Sequence, residues 1–103
     1  MSRRPKGIRW LEAAQDDLTA IVDYIAQDNP KAAERFSERL LGKLGLLAHS
    51  PQLGSACPYH RKTRQLVYGK YIAYYTVHRT EIVIRAVVHG SRHFRSYWLR
   101  RGE

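Results

Sequence analysis

The chain contains a single cysteine, Cys57, among its 103 residues. An intrachain disulfide is therefore impossible, and a reducing cytoplasm is the expected setting. Free cysteines behave mostly as small buried hydrophobes, and Cys57 has no evident base beside it, so it reads as a packing residue and not as a nucleophile. Apolar runs fall short of the roughly 20 residues that a membrane helix needs. The N-terminal MSRRPKG lacks the apolar stretch of a signal peptide, so no membrane partner is expected. No metal site and no cofactor are expected either.

Acidic residues are scarce in one half only. Residues 51–103 carry just Glu81 and Glu103 against ten Lys/Arg, whereas residues 1–50 carry seven acids against eight bases. Nearly all of the net charge of +9 thus belongs to the C-terminal half. Such a field attracts polyanions, either nucleic acid or an acidic protein, without choosing between them. Internal repeats and low-complexity tracts are also lacking. An apolar fraction of 44% fits one domain, 1–103, built around a single core.

What is present reads as an ordered series of elements. Ile8, Trp10 and Leu11 suggest an edge strand running directly into a helix. Leu11, Ala14, Leu18, Ile21, Val22 and Ile25 recur at helical spacing, with Glu12, Asp16 and Asp17 in the early turns where the helix dipole favours negative charge. Asn29 is a good N-cap and Pro30 suits the first turn of a second helix. That helix shows Ala33, Phe36, Leu40, Leu44 and Leu47 on one face and ends at Ser50-Pro51. Gly42 and Gly45 within it are explained either by close approach of another backbone or by a frayed last turn.

Residues 51–62, PQLGSACPYHRK, have loop chemistry. Arg64–Tyr68, Tyr71–Val77 and Glu81–His89 follow as three strands of an antiparallel meander, joined by Gly69-Lys70 and by HRT. Strict alternation in the last strand puts Ile82, Ile84, Ala86 and Val88 on the helices, and Val83, Arg85, Val87 and His89 on the open face. The expected fold class is α+β: an N-terminal strand, then an antiparallel helical hairpin packed on a small curled antiparallel sheet.

The phrases carrying a resemblance are WLEAAQDDLTAIVDYIAQDNPKAAERF, SPQLG (50–54), RQLVYGKYIAYYTV (64–77) and IVIRAVVHGSR (82–92). In order and spacing they resemble the RelE/ParE superfamily of type II toxin–antitoxin toxins. The likeness covers a core of residues 8–92, leaving 93–103 as a basic, aromatic tail. The phrase DL..I..YIA..NP.AA..F is closer to the ParE-like plasmid-stabilisation toxins. The resemblance implies a cytoplasmic toxin neutralised by a small cognate antitoxin whose C-terminal segment wraps it. ParE-like members inhibit DNA gyrase and lack nuclease activity. The alternative is a RelE-like endoribonuclease that cuts mRNA on the ribosome. A plain nucleic-acid-binding module would explain the charge but not the ordered phrases.

A metal-free ribonuclease needs a base, an acid and cations at the scissile phosphate. The usable groups are Arg64, Lys70, Arg85, His89, Arg92, His93 and Tyr97, of which Arg64, His89, Arg92 and Tyr97 are the candidates if the chain is RelE-like. Histidine as a residue type suits proton transfer, yet no carboxylate in the sequence orients His89, since Glu81 lies at the far end of its strand. Its three readings are a strand-end residue bonded locally, a binding residue, and a catalytic one. For target binding the candidates are Arg61, Lys62, Arg64, Arg85, His89, Arg92 and His93. Tyr59 and His60 beside Arg61 and Lys62 make a basic-aromatic stretch suited to phosphates and bases, or to an acidic antitoxin. Tyr68, Tyr71, Tyr74 and Tyr75 read as sheet packing more than as a stacking platform. In the tail, Phe94, Tyr97 and Trp98 stand at helix-like spacing, either packed back on the domain or reaching a partner.

Overall fold

A computed structural model describes residues 4–90. Arg92, His93 and Tyr97, and the expected helix of the tail, lie outside the described residues. The order is β1 (Gly7–Trp10), α1 (Glu12–Asp28), α2 (Pro30–Gly45), a 3-10 turn at Leu46–Ala48, β2 (Ser55–Ala56), β3 (Thr63–Tyr68), β4 (Tyr71–Val77) and β5 (Glu81–His89). Five strands form one sheet in the order β1-β5-β4-β3-β2.

The expected meander is present: β3 pairs antiparallel with β4, and β4 with β5. Two features enlarge it. β1 joins β5 in parallel, so the sheet is mixed and not purely antiparallel, and the loop read at 51–62 contributes the two-residue β2. The turn between β3 and β4 needs its glycine, because Gly69 has a φ of +59°.

Strand and first helix meet in one residue. The Leu11 amide donates to the Ile84 carbonyl (3.0 Å), continuing the ladder, while the Leu11 carbonyl already accepts from Ala14 and Gln15. The helix break is as compact. Asn29, held extended before Pro30, ends α1 and caps α2, its side-chain oxygen accepting from the Ala32 amide at 3.0 Å.

The apolar face of α2 behaves as its spacing predicts: Ala33, Leu40 and Leu44 are buried, followed by Leu47 in the 3-10 turn. Gly42 and Gly45 have open space where a Cβ would stand, so no backbone approaches there. α2 tightens into the 3-10 turn just after Gly45, short of the expected end at Ser50.

Alternation along β5 is broken, and this overturns the expected faces. Tyr75 lies opposite Ile84 and Tyr74 opposite Ala86, leaving Arg85 as the inserted residue of a β-bulge. An insertion reverses the facing of every residue beyond it. Ile82, Ile84 and Val87 therefore pack with Ala14, Leu40 and Leu44 under the helices, while Ala86 and Val88 join Cys57, Tyr74 and Ile72 in a second cluster. Cys57 is the packing residue expected of it.

Candidate functional site

The bulge separates two residues that simple alternation placed together. His89 follows Val87 to the helix face, where its ring stands edge-on to Tyr71 at 5.4 Å. Tyr71 in turn meets Phe36 of α2 at 5.2 Å, and Phe36 meets Tyr68 at 5.6 Å. His89 thus ends an aromatic row anchored in the second helix. Arg85 is buried in the bulge within reach of the Arg9 charge. Desolvation first, and Arg9 second, hold its guanidinium below the ordinary arginine range.

Arg64 also lies away from His89. Through Tyr75 it aligns with Ile84, five residues before the end of β5. At about 3.3 Å per residue the offset along the strands is roughly 16 Å, with two strand spacings of about 4.8 Å added across the sheet. The Arg64 guanidinium is occupied structurally: Nη2 donates to the carbonyl oxygens of Gly54 (2.5 Å) and Gln52 (3.3 Å). Its Nε is buried without a hydrogen bond among the described residues. Arg61 and Lys62 are exposed in the turn entering β3, a turn shaped by Cys57 N donating to Thr63 O (2.9 Å) and by the Thr63 hydroxyl against His60 Nδ1 (2.8 Å). Lys70 is exposed in the β3–β4 turn.

Of the candidates, then, the structure groups Arg61 with Lys62 at one surface turn. It keeps Arg64, Arg85 and His89 at three separate places. Tyr74 and Tyr75 are buried, and Tyr68 and Tyr71 pack against the helix-side core. Burial, with smaller contributions from Cys57 and Tyr59, pushes the Tyr74 phenol up to about 12. Among the described residues no group of three or more His, Cys, Asp or Glu is placed to hold a metal ion. No helix there is long and apolar enough to cross a membrane.

The long-range hydrogen bonds of three residues, Tyr75, Lys6 and Asp17, were not legible in the sequence. The Tyr75 hydroxyl donates to Pro51 O (2.8 Å) and accepts from Gly54 N (3.0 Å), so with Arg64 it fastens the SPQLG loop. A Cβ at Gly54 would meet that hydroxyl at 2.8 Å and press into the Gln65 carbonyl, which explains the glycine. Lys6 Nζ donates to the carbonyls of His78 (2.8 Å) and Arg79 (2.6 Å). Asp17 accepts from the Val87 amide at 2.9 Å. Only the SPQLG phrase (50–54) hinted at the first; nothing local announces the other two.

A strand, a two-helix hairpin and an antiparallel meander closed by a parallel first strand make an α+β fold that the chain shares with solved toxin–antitoxin structures. The family model described as "ParE toxin of type II toxin-antitoxin system, parDE" matches residues 8–94, and the chain belongs to that family. Among solved structures, it is similar to a chain of the chromosomal ParDE toxin–antitoxin system from P. aeruginosa. There the TM-score is 0.69 at 23% identity, over 82% of this chain and 95% of that one. It is also similar to a chain of the RelBE2 toxin–antitoxin complex from Mycobacterium tuberculosis. That likeness has a TM-score of 0.57 at 21% identity, over 85% and 94% of the two chains. Comparison with curated proteins gives no match. The chain is a toxin of a type II toxin–antitoxin system.

Proposed function

We propose that this toxin acts by binding, inhibiting DNA gyrase as ParE-like proteins do, and that a cognate antitoxin neutralises it. The observation that carries the reading is the separation of Arg64 from His89, the two candidate catalytic groups among the described residues. Acid–base cleavage of RNA requires its groups around one phosphate, within about 3 Å of the atoms they serve. Arg64 and His89 are separated by about five residues of strand, and Arg64 is spent on loop carbonyls. The family match at residues 8–94 supports the same reading. Arg61 and Lys62, exposed at one turn, are the first described residues to meet the target, with Arg92 and His93 following from the sequence.

A gyrase supercoiling and DNA-cleavage assay tests this. The purified toxin blocks supercoiling, and Arg61→Glu with Lys62→Glu weakens the block. Undiminished supercoiling at stoichiometric excess of a folded toxin rules the proposal out.

A further inference from the structure

Leu41 in α2 and Leu46 in the 3-10 turn after it keep 44% and 57% of their surface exposed. Single exposed leucines are ordinary, but these two frame a common face with Gly42 and Gly45, which are exposed as well. The two residues between the glycines turn the other way. Leu44 is buried, and the Lys43 ammonium donates to Val67 O (3.2 Å) and stands 5.8 Å over the Tyr68 ring. The backbone keeps helical angles from Gly45 through Leu46 to His49, so the face runs on past the end of α2.

Glycine is the poorest helix former after proline. A Cβ at position 42 or 45 would meet nothing within 4 Å among the described residues, so the packing of one chain asks for neither glycine. A close neighbour does ask for them. Packed helices usually lie about 8–10 Å apart, and bare positions at the contact allow the short end of that range.

The order of the outward residues names the neighbour. Leu41, Gly42, Gly45 and Leu46 read the same from either end. A two-fold axis across the helix between Lys43 and Leu44 sets Leu41 on Leu46 of a second copy and Gly42 on its Gly45. One turn further out, the same axis brings exposed Glu38 opposite exposed His49 of the second copy. An imidazole N–H donates to a carboxylate there, so the polar rim is complementary too. Such self-complementarity is what an isologous dimer requires, and an unrelated partner has no need of it.

We propose that this face joins two copies of the chain as an antiparallel α2–α2 dimer. The leucine pairs form its apolar centre, the glycines its closest approach, and Glu38 with His49 its rim. The inference goes beyond the gyrase reading and holds whatever the toxin's target is.

The test is sedimentation equilibrium of the full-length toxin over a range of concentrations. The mass rises with concentration toward twice that of the monomer and no further, because a two-fold contact closes on itself. Leu41→Glu, and separately Gly42→Leu, weakens association by about tenfold or more. Both positions are exposed, so the circular dichroism spectrum is unchanged and a loss of association is not a loss of fold. Glu38→Lys and His49→Glu each weaken the dimer, and the double variant, which restores opposite charges across the axis, recovers it. The proposal is overturned if the chain stays monomeric at every concentration, or if the Leu41 and Gly42 variants associate as the parent does. A monomer whose Leu41 and Leu46 amides are covered only when the cognate antitoxin is added would overturn it in favour of that partner.

Discussion

The carboxylate of Asp17 accepts a hydrogen bond from the backbone amide of Val87 across 2.9 Å, tying α1 to β5. β1 accompanies β5 only as far as Ile84, and Asp17 serves an amide three residues further on. Because the bulge at Arg85 lies between, this bond holds the strand end that carries His89. Asp17→Ala leaves a buried N–H without its acceptor and lowers stability by about 1–3 kcal/mol. Asp17→Asn keeps an acceptor and loses less. Urea unfolding of the three proteins checks the order, and equal stability of all three contradicts it.

The SPQLG loop depends on the absence of a side chain at one position. Gly54→Ala forces a Cβ against Gln65 and the Tyr75 hydroxyl, costing roughly 1–3 kcal/mol. Tyr75→Phe removes both hydroxyl bonds without changing the packing, and its smaller loss separates the two effects. Thermal unfolding distinguishes the variants.

Gly42 is the opposite case. With open space at its Cβ position and a place in the last turn of α2, which the 3-10 turn continues, Gly42→Ala stabilises the protein by up to about 1 kcal/mol. A loss on substitution would mean that a partner or backbone needs that space.

Tyr74 makes the fold sensitive to alkali. Its phenol is pushed up to about 12 by burial, against an ordinary value of 10.0. The folded state therefore holds a proton that the unfolded chain releases. The associated stability is complete below pH 10 and is lost as the pH rises toward about 12. A tyrosinate absorbance titration shows a late-titrating phenol that Tyr74→Phe removes.

Much of the fold was legible because it rests on local chemistry. Asn29-Pro30 specifies both the end of one helix and the cap of the next, and Gly69-Lys70 fixes a strand turn. The bulge was not legible: nothing in IVIRAVV marks Arg85 as the inserted residue, since the choice depends on what β4 places opposite. The parallel partnership of β1 with β5 joins segments more than seventy residues apart, so spacing cannot announce it. The same holds for the candidate site. Arg64 was singled out for its charge, but its bonds go to backbone carbonyls of a loop, and carbonyls leave no signature in a sequence. Lys6 and Arg79 became neighbours only through folding.

The central claim is that this toxin binds its target and does not cut RNA. Programmed ribosomes incubated with the purified protein, with the bound mRNA mapped at single-nucleotide resolution, address it most directly. Intact mRNA is expected from the same preparation that blocks gyrase supercoiling. Codon-positioned cuts that disappear on His89→Ala would contradict it.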